Sequence, residues 1–461
     1  MFSFGTVRIV TLFTALALFF PGKLVLSQEY NKRSDYVYNF ENTDAKIVSV
    51  TIVNNTLELP VFTENYQTAF LEVDIRATFG NWLSQPKVEL NSNGVNACQY
   101  FEFGAKGLRY INLSEFIQKK NSFIEFDFDR CHITNKKVRL ILFKNPAIEN
   151  KNLLVLAPHP DDAEIAAYGL YASNRNAFVA TVTVGDAGKK MYDELYSNDT
   201  THYLKKAGLR LWNSITVPML AGLEPQNMIN LGYFDASLKQ MYSDTSKTAK
   251  ARYTGLDNIN IYREQNISSF LDSVYAAPNW RSLVNDLKYI VEKEKPSVIV
   301  TPYPAIDVHP DHKLTTVALI QGLKELNYMD VELWLYTNHY VYDEMYPQGK
   351  VRSLVALPPV TSEESVYFKR ICSFTLSDNM QSDKALALEA MNPLRPDTEW
   401  HTTRGSRKLY WKTLRENIRN TENDYYYRRA ARDNELFFVV DMKDLLTGSI
   451  LKSVIGDINF K

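Results

Sequence analysis

The sequence predicts an α/β protein: a Rossmann-like, mostly parallel sheet domain preceded by a small all-β sandwich. Three observations point there. From about Lys46 to Phe143 apolar and polar residues alternate with period two, the pattern of half-buried strands. After Asn150 short apolar runs alternate with helix-like stretches, which implies a parallel sheet with helices on its faces. Two of those runs end in histidine and aspartate: Leu153-Leu154-Val155-Leu156 leads to His159-Pro160-Asp161-Asp162, and Val298-Ile299-Val300 leads to His309-Pro310-Asp311-His312. Open α/β sheets bind their ligands at that edge.

The elements follow in order. Arg8, the apolar stretch Ile9 to Phe20, Pro21-Gly22 and the positions around Ser27 have the three-part form of a secretory signal peptide, residues 1–27. The apolar run is shorter than the ~20 residues a membrane span needs. The expectation is an exported chain, periplasmic or secreted, with no transmembrane span after removal. Residues 28–146 form the sandwich. There Leu71, Val73 and Ile75 alternate with Glu72, Asp74 and Arg76, and Ile124, Phe126 and Phe128 with Glu125, Asp127 and Asp129, with solvated outer faces expected. Turn-like clusters such as Asn91-Ser92-Asn93-Gly94 separate the strands.

Residues 147–461 form the α/β domain. The spacing predicts a strand over Leu153 to Ala157, a helix over Asp162 to Ser173, and a strand over Phe178 to Val184 closed by Gly185-Asp186-Ala187-Gly188. Asp199 to Ser273 has poor periodicity and reads as an elaborated loop region near the site. A helix over Trp280 to Glu294, a strand over Ser297 to Thr301 and a helix over Leu314 to Leu326 follow. Toward the C-terminus come helices over Gln381 to Met391 and Lys408 to Arg419, then an extended run from Glu435 to Val440.

Bulk properties narrow the function. Of 461 residues, 45% are hydrophobic and 23% charged, an ordinary globular composition. A formal net charge of -1 gives no general affinity for nucleic acid or anionic membranes. Cys98 and Cys131 can form one disulfide in the β-rich part, leaving Cys372 as a buried small hydrophobe. Sequons stand at Asn54, Asn112, Asn198 and Asn266 and matter only in a glycosylating host.

The two clusters carry the chemistry. A catalytic zinc takes three protein ligands from His and carboxylate and keeps a fourth position open. His159 and Asp162 are three residues apart, so a turn leading into a helix lets both face one point while Asp161 points elsewhere; His309 and His312 repeat the spacing. Either cluster alone reads better as capping residues at a helix N-terminus. Both together, each after a strand and before a helix, point to one shared metal site and a metal-dependent hydrolase.

These residues resemble the PIG-L/LmbE-like deacetylases, zinc enzymes that remove acetyl groups from N-acetylglucosamine-type substrates. The likeness rests on Ala157-Pro158-His159-Pro160-Asp161-Asp162-Ala163-Glu164 with Gly169 downstream, on Thr183-Val184-Gly185-Asp186-Ala187-Gly188, and on His309-Pro310-Asp311-His312. It covers about Asn152 to Leu326 and leaves the sandwich untouched. The resemblance implies that His159, Asp162 and His312 hold one Zn2+, that Asp161 is the general base for a metal-activated water, and that His309 stabilises the oxyanion. Iron or cobalt also suits two imidazoles and a carboxylate. Asp311 is either an outer partner holding an imidazole or simply the helix cap. Two departures stand out: Pro158 is an extra residue before His159, and Ala166-Ala167-Tyr168-Gly169 replaces a glycine-rich continuation.

The implied substrate is an N-acetylated sugar or glycoconjugate. Two other readings stay open: an amidase acting on a non-sugar N-acyl substrate, and a carbohydrate-binding protein with an inactive deacetylase scaffold. Lesser candidates are His202, His339 and His401 as groups near the cleft, Arg210, Trp212 and Asn213 as substrate contacts, and Trp82, Tyr100 and Phe101 as a carbohydrate face on the sandwich.

Overall fold

The computed structural model describes residues 31–458 apart from 82, 194, 344, 362–365 and 392–424. The signal peptide, the helix expected over Lys408 to Arg419, Trp82 and His401 lie outside the described residues.

The first unit contains β1 (Lys46–Val53), β2 (Thr56–Glu58), β3 (Thr68–Ala77), β4 (Lys87–Ser92), β5 (Val95–Tyr100), β6 (Lys106–Asn112), α1 (Ser114–Gln118), β7 (Phe123–Asp129), β8 (Cys131–Ile133) and β9 (Lys137–Phe143). The strands run β5-β4-β7-β2-β1-β9-β3-β6, with β8 beside β3. β1 joins two leaves, pairing with β9 along Lys46 to Thr51 and with β2 at Ile52 and Val53. Leu57, Leu71, Val73, Val88, Leu90, Ile124 and Leu140 from both leaves fill one core.

The outer face of β3, β6 and β9 is not solvated. Phe70, Tyr110, Ile141 and Phe143 pack there with Val355, Phe368, Ile371 and Phe438 of the second unit. Alternation along β3 therefore marks two buried faces, and Glu72, only 8% exposed, is held by Arg139 and Tyr110. Cys98 lies opposite Glu89 on β5 and Cys131 opposite Ala77 on β8; both are free thiols, so the possible disulfide is absent.

The second unit has β10 (Leu153–Ala157), β11 (Ala177–Thr183), β12 (Met228–Tyr233), β13 (Val298–Pro302), β14 (Glu332–Tyr336), β15 (Arg370–Thr375) and β16 (Asn434–Asp441). Its order is β12-β11-β10-β13-β14-β16-β15. The first five are parallel, and β16 runs antiparallel to β14 and β15. Its helices include α2 (Asp162–Ala172), α3 (Asp199–Thr216), α4 (Leu238–Ser243), α5 (Asn260–Arg263), α6 (Trp280–Glu294), α7 (Pro310–Glu325) and α8 (Asp378–Ala390). Every residue of β10 is buried, as a strand covered on both faces requires. α6 starts where Asn279 accepts the Ser282 N–H and buries Leu283, Leu287, Ile290 and Val291 on one side.

The stretch from Asp199 to Ser273 departs from expectation. It holds the 18-residue α3 and the edge strand β12. α3 hides because Lys206 and His202 sit on its buried face. In β12, Asn230 and Gly232 interrupt the apolar pattern; Asn230 is buried but bonds to Thr183 O and Ser214 Oγ. α7 starts at Pro310 rather than Leu314, because His309 caps it and proline suits the first helical turn.

α2 is broken at Ala167, whose φ of -143° is non-helical. The freed N–H groups of Gly169 and Leu170 donate to the two carboxylate oxygens of Glu435 on β16 at 2.8 and 2.9 Å. Lys384 of α8 completes the arrangement at 2.7 Å, both side chains being 1% exposed. Glu435→Ala strands a buried ammonium and two amides, so it should cost about 3–5 kcal/mol. Lys384→Met leaves the carboxylate its two amides and should cost less; urea unfolding midpoints compare the two.

Candidate metal centre

β10 and β13 are neighbours in register, with Val155 opposite Val300. The chain leaves β10 toward β11 and β12 but continues from β13 toward β14, so the gap between β10 and β13 is where the strand order reverses. Both clusters sit at that reversal.

The turn after β10 closes locally. Asp162 Oδ2 accepts the backbone N–H of His159 at 2.9 Å, which is why a spacing of three sets the two side chains together. His159 Nδ1 lies 3.2 Å from Asp162 Oδ2 and 3.2 Å from His312 Nε2, and the latter two atoms are 3.1 Å apart. Three corners of a tetrahedron about zinc, at bonds of ~2.0–2.1 Å, stand about 3.3 Å apart. The donor set and its spacing therefore fit one cation. Two wider groupings overlap it, His159 with His309 and His312, and His159 with Asp235 and Asp311, each within 4.8 Å.

Outer carboxylates fix which ring nitrogen faces inward. His312 Nδ1 donates to Asp307 Oδ2 at 3.0 Å, leaving its Nε2 lone pair toward the triangle. His159 Nε2 lies 3.3 Å from Asp235 Oδ1 and 3.4 Å from Asp311 Oδ2, so its Nδ1 faces inward. Asp311 is itself held by the Ala236 and Leu238 amides at 2.7 and 3.3 Å. Asp162 takes a hydrogen bond from Asn338 Nδ2 on Oδ1 at 2.8 Å. Burial disfavours charge on His159 and His312, but surrounding carboxylates outweigh it: His159 rises well above the usual range and His312 to about 10. Burial would raise Asp162, yet His312 and His159 hold it well below.

Asp161 caps α2 with φ +136° and ψ -29°, a conformation rare for any residue with a side chain, and such strain gathers at functional sites. Its Oδ2 accepts from Arg210 Nη2 at 3.0 Å, and the same nitrogen donates to Pro160 O at 2.6 Å. Burial pushes Asp161 up to about 6 against the pull of Arg210. Gly185, at φ +64°, lies so near Arg210 that a Cβ would come within 2.5 Å of Nε, which explains glycine there. His309 caps α7; its Nδ1 accepts the Asp311 N–H at 3.3 Å, so its own N–H is on Nε2. Burial, then His159 and His312, press His309 down to about 4.

The other candidates divide. The His339 ring lies 5.2 Å from that of His312 and 6.0 Å from that of His309, centroid to centroid. Arg210 reaches Asp161, whereas Trp212 is 46% exposed and Asn213 bonds to Ala390 O on α8. Phe101 is 3% exposed in the sandwich core and Tyr100 packs at Gly349, so these two make no open carbohydrate face. Asp235, Asp307 and Asn338 were not among the sequence candidates. Each comes from a loop after or between strands, and only the strand-end position of Asn338, beside His339, hinted at a role.

Fold and clustered side chains together define an α/β unit with a candidate metal site at its strand-order reversal. The PIG-L family, GlcNAc-PI de-N-acetylase, matches residues 154–323. Residues 154–323 are thus similar to the PIG-L/LmbE-like deacetylases. A curated relative, the probable N-acetyl-alpha-D-glucosaminyl L-malate deacetylase 2 of Bacillus subtilis (strain 168), is 29% identical over 177 residues, 38% of this chain. The match spans 61% of that relative's length. Among solved structures, the zinc inhibited form of teicoplanin deacetylase Orf2 is 18% identical, covering 62% of this chain and 97% of its own, with a TM-score of 0.34. The A40926 pseudoaglycone deacetylase Dbv21 is also 18% identical, covering 63% and 98%, with a TM-score of 0.31.

One face of α3 clamps the loop beside the site. Buried His202 accepts the Met191 and Tyr192 amides on Nε2 at 3.2 and 3.1 Å, Tyr203 donates to Gly188 O at 2.9 Å, and Lys206 Nζ donates to Lys189 O at 2.9 Å and to Ala187 O. Burial, Lys206 and Lys190 hold the His202 pKa below its ordinary 6.5, with Asp193 and Asp199 opposing. A folded value below the unfolded one means the clamp is intact above 6.5 and weakens as pH falls beneath it. Hydrogen exchange should show the Met191 and Tyr192 amides protected near neutral pH and less so at about pH 5. His202→Phe should abolish that protection at both.

Proposed function

We propose that the chain is a metal-dependent hydrolase that removes the N-acetyl group from an amino sugar or glycoconjugate. One observation carries the reading: His159 Nδ1, Asp162 Oδ2 and His312 Nε2 stand 3.1–3.2 Å apart inside the PIG-L segment. The sugar is supported by the family description, GlcNAc-PI, and by the N-acetylglucosaminyl malate named for the Bacillus subtilis relative. The apolar run from Ile9 to Phe20 supports export as part of the same proposal.

In this reading His159, Asp162 and His312 would hold one divalent cation, zinc by default. Such a cation polarises an amide oxygen and lowers the pKa of water to ~7. Asp161, fixed by Arg210, takes the proton of the attacking water as its oxygen bonds to the amide carbon. His309 donates from Nε2 to the amide oxygen as that oxygen gains charge; a neutral ring suffices, because the Asp311 N–H occupies Nδ1. The carbon–nitrogen bond then breaks, Asp161 returns its proton to the leaving nitrogen, and acetate and the free amine depart.

Acetate release from N-acetylglucosamine conjugates, before and after chelation, tests the activity. Asp161→Asn should retain cation binding and lose at least ~100-fold in kcat, whereas His159→Ala should lose both. Full activity in Asp161→Asn would remove it as the base. Asp307→Asn keeps a group of the same size but weakens the brace on His312, and cation affinity measured by equilibrium dialysis should fall by about 10–100-fold with the thermal midpoint little changed.

A further inference from the structure

One end of the sandwich is both greasy and cationic. The loop from Thr78 to Pro86 lies beside the loop from Phe101 to Ala105, joined by Ala77 N–H to Ala105 O and Phe101 N–H to Pro86 O, both 2.8 Å. From these loops Phe79 is 94% exposed, Leu83 67% and Phe103 40%. Large apolar side chains so bare, and gathered on one tip, mark a contact surface.

Directly behind the tip, Arg76 on β3 stands in register with Lys106 on β6 and with His132 on β8. All three are exposed. Among the described residues no carboxylate pairs with Arg76 or Lys106. Like charges directly opposite across strands repel, so this row gains from an external counter-ion. Exposed Lys32 and Arg33 extend it, Lys32 O accepting the Lys106 N–H at 3.3 Å. Arg130, beside Gly80 of the tip loop, has a loose partner in Asp129 at 3.8 Å among the described residues. Asp35, exposed against Gly107, and Asp129 stand among these five basic side chains, and the overall charge of -1 conceals the remaining local excess.

We propose that this end of the sandwich docks on an anionic lipid surface, with Phe79 and Leu83 entering the interface and Arg76 and Lys106 facing the headgroups. Apolar side chains flanked by basic ones bind such interfaces by burial plus electrostatic attraction. A soluble polyanion would satisfy the cations but leave the tip in water. A symmetric contact between two copies would oppose one cationic row to another.

The test uses the full chain with vesicles of phosphatidylcholine alone or with about one third phosphatidylglycerol. Sedimentation should show preference for the anionic vesicles, reduced roughly tenfold or more by Arg76→Glu with Lys106→Glu. Phe79→Ser with Leu83→Ser should weaken binding at low and high salt alike. All four side chains are exposed, so thermal midpoints should not move. The run Ile9 to Phe20 can itself bind lipid, so Phe79→Trp gives a local reading: its fluorescence, corrected for the parent chain, should be quenched by brominated lipid. Equal binding by every variant, an unquenched tip, or capture by soluble glycan or polyanion without vesicle binding would overturn the proposal.

Discussion

β10 and β13 lie side by side while the chain departs from them in opposite directions, and the site follows from that single topological fact. Loops leaving the carboxyl ends of such a pair diverge to either side and open a crevice between them. His159 and His312, 153 residues apart in sequence, meet across it at 3.2 Å. His159 and Asp162 stand two and five residues beyond the end of β10, while His312, ten residues beyond β13, lies in the first turn of α7. The parallel register Val155 to Val300 sets the height of the two loops, so a slip of one strand would part the imidazoles.

Electrostatics then decides what such a crevice can hold. Asp161, Asp162, Asp235, Asp307 and Asp311 gather around His159, His309 and His312, with Arg210 the cation seen at Asp161. Carboxylates withdrawn from water need positive charge or donors. Asp311 finds backbone N–H groups, Asp307 finds His312 and the His309 amide, and Asp162 finds Asn338. Each fixed outer acceptor orients a ring or carboxylate so that its remaining lone pair points inward. The inward atoms are all acceptors when the imidazoles are neutral, a set that a cation satisfies better than any hydrogen-bond donor of similar size.

Much of this was legible. Runs such as Leu153 to Ala157 and the heptad-like spacing of Leu283, Leu287, Ile290 and Val291 announce buried elements directly, because burial on one or both faces forces apolar residues at those positions. Spacing brought His159, Asp162, His309 and His312 forward as candidates, and only the family resemblance singled out His159, Asp162 and His312 among them. α3 and β12 were not, because their buried faces carry His202, Lys206 and Asn230, whose polar groups are satisfied by backbone of distant loops. Asp235 and Asp307 escaped for a related reason: each acts by a contact that only the folded loops create, with no fixed offset from a motif. The solvated face expected for β3 failed because alternation reports two environments and cannot say whether the second is water or another domain.

The junction between the sandwich and the α/β unit matters to the site itself. The PIG-L match ends at residue 323, yet Asn338, which braces Asp162, follows β14, and Glu435, which splices the two halves of α2, lies on β16. β16 also carries Phe438, packed against Phe40 and Phe70 from the N-terminal side through a shared core. Asn112 of the sandwich reaches Val355 O and Ser373 Oγ across the junction at 2.9 Å each. Positional control of Asp162 therefore runs from α2 through β14 and β16 into the face of the sandwich. A segment cut at residue 323 would keep His159, Asp162 and His312 in sequence and lose the groups that aim Asp162, so the sandwich and the antiparallel edge of the sheet belong to the physical definition of the site.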